Sequence, residues 1–430
     1  VNIQNIARNF YIGVKNDGVC AAVLSFWRYL YCKYIYTPEF QALALDHDLK
    51  RRLSHRVYEI RDSLKMTDVR AQTLRFVESM RFWDQPYGRY RYAPCQKSAV
   101  LYASTYAVLT RHLYGDLFSL TARQREEWIA YIKSFQSDDG LFRDPAVECE
   151  LADTADWWGW RHLTLHAVMA LTCLGAVPDK PFGILESFKN EAFIESWFKD
   201  LHITQNPSDQ MNAHLPLSVV TFLQYARDFQ NAVWADTAIK KIISLLDEQI
   251  DQETGCWCTG YGRKDLVNNG VKIAYHLWIF YFYDKLSIKC PDKAIDSLLS
   301  TQNAFGGFDY SINSSACDDI DSIDPLCRLT AMTDYRKSEI NNALYRAVPW
   351  VLVNMNPDGG FVFKRGQSFQ YGHEKMYSGV NESNMFATWF RTLSIAYIGK
   401  VLPDSWPGKF GWHFESIPGL QFWHKKDSTG

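Results

Sequence analysis

The sequence predicts an all-α protein of six helical hairpins closed into an (α/α)6 toroid. Three observations lead there: a turn motif returning at a fixed period, a helical pair within each period, and no segment with sustained two-residue alternation.

The turn motif comes first. Four loops share one spelling: Gln136-Ser-Asp-Asp-Gly140-Leu-Phe142, Gln252-Glu-Thr-Gly255-Cys-Trp257, Gln302-Asn-Ala-Phe-Gly-Gly307-Phe308 and Asn356-Pro-Asp-Gly-Gly360-Phe361. A looser copy is Gln85-Pro-Tyr-Gly88-Arg-Tyr90. Anchored on the last glycine, they fall at 88, 140, 255, 307 and 360, so the spacings are 52, 115, 52 and 53. The gap of 115 is two periods, and Gln205-Asn-Pro-Ser-Asp209 stands where the sixth turn belongs. One Gln-x-x-Gly means little; a regular series marks a repeat.

Each period reads as two helices. Before the turn lies an amphipathic segment, such as 126–135 or 294–299, with apolar residues at i, i+3 and i+4. After it lies a segment apolar on all sides, such as 166–174, 215–225 or 387–398. Such a helix must be enclosed, and two concentric rings enclose it. The glycines end one helix in a left-handed turn, and the aromatic that follows packs beneath the ring. Little or no sheet is expected. Residues 1–80 read as a helical segment packing on the ring, and 81–430 as the ring itself, one domain.

A chain of 430 residues, 47% hydrophobic and 15% aromatic, can bury a core of that size. The net charge of −2, with no basic stripe, argues against nucleic acid as a partner. No run of about 18 apolar residues offers a membrane span. The ten cysteines are sparse for this length, and several (Cys20, Cys32, Cys173) sit in apolar helices. They read as reduced, packing thiols of a cytoplasmic protein, and no signal pattern opens the chain.

In a ring of this kind the inner helices begin just after the turns, so polar residues there face a central cavity. The second hairpin offers Asp156, Trp157, Arg161 and His162; the third, Asn212 and His214. The fourth offers Tyr261, Arg263, Asn269, Lys272 and His276, and the last His373, Glu382 and Asn384. The sharpest feature is Cys317-Asp318-Asp319-Ile320-Asp321-Ser322-Ile323-Asp324-Pro325 in the fifth. Because proline is tolerated in a first turn, that helix is expected to begin near Ser322 to Asp324, with Asp324 as an ordinary cap. Four carboxylates in seven residues exceed what capping needs. Crowded acids hold a proton, and they can equally hold a divalent cation such as Mg2+; the sequence leaves both open. His166 and His276 read as core residues as readily as site residues.

The repeats at 128–142 and 298–308 resemble those of squalene-type cyclases and prenyltransferase β subunits, in which a Gln, a Gly and an aromatic close each hairpin. The resemblance spans roughly residues 80 to 400 and implies the toroid. Asp319-Ile320-Asp321-Ser322 is similar to the Asp-x-Asp-Asp motif of class II terpenoid cyclases. The resemblance implies that Asp321, matching the middle Asp, is the acid that protonates an alkene or epoxide, with Asp319 matching the first; Ser322 replaces the last. It implies no required cofactor and a small-molecule, isoprenoid substrate. Those cyclases pair two toroids, whereas this chain supplies one. Protein prenyltransferases are single rings, but Asp321 stands where their zinc-ligand Cys would be, and 384–391 carries no His.

Three functions follow from different classes. The first is proton-initiated cyclisation of an isoprenoid, with Asp321, Asp319 and Asp318 as the catalytic set. The second is a carbohydrate-active or other polar-substrate enzyme, an epimerase, lyase or hydrolase. Arg161, His162, His214, Lys272, Arg328 and Glu382 favour it, and Asp321 and Glu382 would be its acid and base. The third is a non-catalytic binding toroid. The lining separates them: a dry aromatic wall for the first, a wet charged wall for the second, a filled centre for the third.

Overall fold

A computed structural model describes residues 51, 66–153, 157–203, 213–257 and 264–419. The chain divides into two compact units, 1–55 and 56–430, and the helices below belong to the second. Among the described residues there are twelve α-helices, and the only regular sheet is one two-residue antiparallel pair, 369–370 with 377–378. The protein is predominantly helical, as its periodicity requires. No helix among these residues is long and apolar enough to cross a membrane.

The helices alternate in character. Six are amphipathic or largely exposed: α1 (Met66–Ser79), α3 (Ala122–Lys133), α5 (Glu191–Asp200), α7 (Ala235–Asp247), α9 (Pro291–Ser300) and α11 (Lys337–Val353). Six are more fully enclosed: α2 (Leu101–Leu113), α4 (Trp160–Cys173), α6 (His214–Phe229), α8 (Lys264–Tyr283), α10 (Ala316–Leu329) and α12 (Met385–Val401). The contrast is plain between α3, which buries only Trp128 and Ile132, and α2, which leaves only His112 partly open. Each enclosed helix packs on the next, α2 on α4 through to α10 on α12, and α12 packs back on α2.

The turns explain the period. Gly140 (φ +86°) would place a Cβ 2.1 Å from the Pro181 carbonyl oxygen, and Gly306 (φ +96°) 2.2 Å from that of Arg346. Gly359 (φ +91°) would place one 2.1 Å from that of Gln72. Each glycine lets its turn touch the backbone of the next repeat, which no side chain would permit. In the two Gly-Gly turns it is the first glycine that is left-handed, not the second. The glutamine stitches the same junction. Gln136 donates to the carbonyls of Gly140 and Lys180 and accepts from the Asp179 and Lys180 amides. Gln302 likewise joins Gly306 to Ala343. The aromatics Phe142, Trp257, Phe308 and Phe361 are fully buried. Gln205–Asp209, the expected sixth turn, lies outside the described residues.

Helix α1 lies against a repeat turn, with Gln72 and Phe76 on Gly359–Gly360. One expectation is corrected. Helix α10 does not start near Ser322 to Asp324. It starts at Ala316, where Ser315 and Asp318 form a capping box, and it carries Pro325 inside. Proline has no N–H for the carbonyl four residues back, so the Asp321 carbonyl loses its intrahelical partner.

Candidate active site

The ends of several enclosed helices meet at a cavity of about 190 Å³. Part of its lining is aromatic: Trp157, Phe363, Phe369, Tyr371, Phe386 and Phe390. Phe363 and Phe369 stack at 3.6 Å between ring centres, and Tyr371 and Phe386 at 4.7 Å. The rest is polar: His162 from α4, His214 from α6, Lys272 and His276 from α8, and Ser315, Cys317, Asp318 and Asp321 at the head of α10.

The four aspartates of α10 have separate fates. Asp318 accepts from the Ser315 amide and pairs with Lys272 at 2.6 Å. Burial pushes its carboxyl up, but Lys272 and Ser315 bring it below the usual range. Asp319 faces away from the cavity. It accepts from the Phe308 amide (2.9 Å), Ser314 (2.6 Å), the Trp350 indole (2.9 Å) and Arg391 (2.7 Å). Four donors fill its acceptor sites, and Asp319 ties the head of α10 to the Phe308 turn, α11 and α12. Asp324 is no helix cap: it pairs with Arg328, which also donates to Tyr397 at 2.8 Å.

Asp321 is the exception. Its residue is 3% exposed, it lines the cavity, and it has no hydrogen-bond partner among the described residues. Burial pushes its carboxyl well above the usual range; Lys272 opposes this, and the neighbouring Asp318, Asp319 and Asp324 reinforce it. A carboxyl so placed holds its proton toward an aromatic cavity.

The histidines form a row. Ring centres lie 4.4 Å apart for His166 and His162, 5.9 Å for His162 and His214, and 4.1 Å for His214 and His276. Burial pushes His166 and His276 down to about 4 and holds His162 and His214 well below their ordinary value, so all four are neutral. Among the described residues no three His, Cys, Asp or Glu side chains are grouped to hold a metal ion.

Of the residues singled out from the sequence, Trp157, His162, His214, Lys272, His276, Asp318 and Asp321 meet at this cavity. Others do not line it. Arg328 is committed to Asp324 and Tyr397. Glu382 accepts from the Cys95 and Gly379 amides, so it cannot face Asp321 as a base. Asn384 caps α12 through the Ala387 amide, and His373 caps a short 3-10 turn through that of Lys375. Arg161 and Asn269 are half-buried and outside the lining. Asp156, Asn212, Tyr261 and Arg263 lie outside the described residues. Sequence reasoning missed Tyr371 and the four phenylalanines, and it read Cys317 as packing only. Phe386 and Phe390 sit one turn apart at the start of α12, a spacing that could have exposed them. Comparison with protein-family models and with curated proteins finds no match for this sequence.

Proposed function

We propose that the six hairpins close into an (α/α)6 toroid and that the protein is a terpenoid-cyclase-like enzyme, with Asp321 as the general acid. The closed circuit of packing from α2 round to α12 supports the ring. The observation that carries the chemistry is Asp321: a buried carboxyl with no hydrogen-bond partner among the described residues, lining a cavity rich in aromatic rings, with burial pushing its pKa up. In this reading its O–H proton passes to an alkene carbon or epoxide oxygen of an isoprenoid. A carboxylate and a carbocation result. The π-bonds of the chain then close onto the cation, a C–H proton is lost to solvent, and solvent returns a proton to Asp321, so that the substrate is isomerised with no net change in composition. Aromatic faces stabilise the passing charge, and Lys272 stabilises the carboxylate left behind. The commitment of Asp318, Asp319 and Asp324 to basic partners favours proton delivery over cation binding. The loss of Glu382 from the cavity removes the acid–base pair that a glycosidase reading needs.

The test is incubation with acyclic isoprenoids, their epoxides and their diphosphates in D2O, with products read by mass spectrometry. A cyclic product is expected, carrying one solvent deuterium on carbon where an alkene rather than an epoxide is protonated, and Asp321→Asn should slow its formation by about 10³-fold or more. Normal turnover by Asp321→Asn, or an alkene-derived product without deuterium, overturns the reading.

A further inference from the structure

The polar half of the cavity has a chemical sense that the aromatic half lacks. His162 Nδ1 lies 3.0 Å from the Tyr102 hydroxyl and 3.1 Å from that of Tyr371. Those hydroxyls lie closer to carbonyl oxygens: Tyr102 to that of Trp158 at 2.5 Å, Tyr371 to that of Trp157 at 2.6 Å. A carbonyl can only accept, so each tyrosine gives its single proton to the backbone. The proton between the tyrosines and His162 must then belong to Nδ1, and Nε2, at 3.5 Å from the Tyr371 hydroxyl whose proton is already given to the backbone, keeps its lone pair. His276 is fixed in the same way, its Nδ1 donating to the Lys272 carbonyl at 2.6 Å. His166 follows, with Nδ1 donating to the His162 carbonyl at 2.9 Å. Of these three, His162 and His276 line the cavity. Lys272 spends its charge on Asp318. The described part of the cavity thus offers the Nε2 lone pairs of His162 and His276 beside the Asp321 carboxyl, with His214 and Cys317 also in the lining and no uncommitted cation.

We infer that His162 and His276 are acceptors for a hydrogen-bond donor on the substrate, so that the substrate is an alcohol rather than a diphosphate, a carboxylate or a bare hydrocarbon. Water would otherwise have to be stripped from two buried acceptors without replacement, which costs about 1–3 kcal/mol per group. An ether or hydrocarbon leaves them unpaired, and an anion meets their lone pairs with like sign. The inference rests on the isoprenoid reading for the rest of the ligand only; recognition by the two imidazoles does not depend on whether cyclisation follows.

Two measurements test it. In ¹⁵N-histidine spectra of the full chain near pH 7, His162 and His276 should be neutral Nδ1–H tautomers; Nε2–H tautomers or charged rings overturn the inference outright. The second uses Asp321→Asn, so that bound probes are not consumed. Farnesol should bind at least tenfold more tightly than its methyl ether and its diphosphate, and it should shift the Nε2 resonances. A His162→Phe, His276→Phe double variant should bring alcohol and ether within about threefold of each other. If the ether or diphosphate binds as well as farnesol, the inference fails while the cyclase reading stands. If no isoprenoid binds, the cyclase reading fails, and 2-phenylethanol against its methyl ether decides the present point: equal binding, or none, overturns it.

Discussion

Asp319 and Asp321 are two residues apart on one helix, and substituting them should move stability in opposite directions. Asp319 takes four hydrogen bonds and meets Arg391 with neither side chain more than 1% exposed. Burial pushes the Asp319 carboxyl up and the Arg391 guanidinium down, and their pairing offsets part of each. Asp319→Ala leaves a buried guanidinium uncompensated, together with the Trp350 indole N–H and the Phe308 amide. Breaking one partner of such a pair costs about 3–5 kcal/mol. Asp321 has no partner to lose. Its folded pKa is raised, so its contribution to stability is present below the ordinary carboxyl value and is lost as pH rises through the folded value. Asp321→Asn removes that loss and should raise stability at pH 7 by about 1 kcal/mol or more, with a difference from wild type that shrinks toward pH 4. Urea denaturation followed by circular dichroism measures both. Arg391→Met should cost nearly as much as Asp319→Ala, and the double variant less than the two together. A loss under 1 kcal/mol for Asp319→Ala, or a clear loss for Asp321→Asn at pH 7, refutes the division of roles.

Acid should weaken the fold through the buried histidines. A ring whose pKa falls from about 6.5 to about 4 contributes stability that is present above 6.5 and lost as pH drops toward 4, at most about 3 kcal/mol each for His166 and His276. His276→Gln should therefore flatten the pH dependence of unfolding between those values, and an unchanged slope means the ring is not buried neutral. The turns make a second comparison. Gly140 and Gly175 are both left-handed, at φ +86° and +82°, but only Gly140 faces backbone, with nothing within 4 Å of a Cβ at Gly175. Gly175→Ala should cost about 1 kcal/mol, and Gly140→Ala at least about 2 kcal/mol more; equal melting points for the two variants refute the account of why the repeat carries glycine.

The helical repeat was legible because each junction needs local chemistry that only a few residues supply. A left-handed turn against a neighbouring backbone calls for Gly, a side chain that both donates and accepts calls for Gln, and the space below calls for an aromatic. That combination recurs with the period and can be counted. The start of α10 was misread because two local rules conflict there. Pro325 argues for a first turn, whereas Ser315-Ala-Cys-Asp318 spells a capping box ten residues earlier. The box supplies two hydrogen bonds at the helix end, and thirteen of the fourteen residues of α10 are buried. Enclosure by α8, α9, α11 and α12 holds the helix through the proline, and propensity yields to tertiary packing.

The candidate site was half legible for a reason the structure makes specific. Helix N-termini carry amide groups without intrahelical partners, and the residues that satisfy them are the same Asp, Asn, Ser and Glu that build polar sites. In this chain the cavity lies at those same ends, so one residue type at one kind of position serves either purpose. Asn384 caps α12 and donates to the Ser378 hydroxyl; Glu382 ties two loops; Asp318 is at once a cap and the partner of a cavity lysine. Sequence cannot separate these, because the separating fact is which donor lies within 3 Å. Asp321 is distinguishable by position once the true start of α10 is known. Counted from Ala316 it stands at the sixth helical residue, past the amides a cap can reach, on a helix whose other three aspartates are all partnered. A carboxyl there gains nothing from the helix end and loses its hydration. What remains to explain its presence is the cavity it faces.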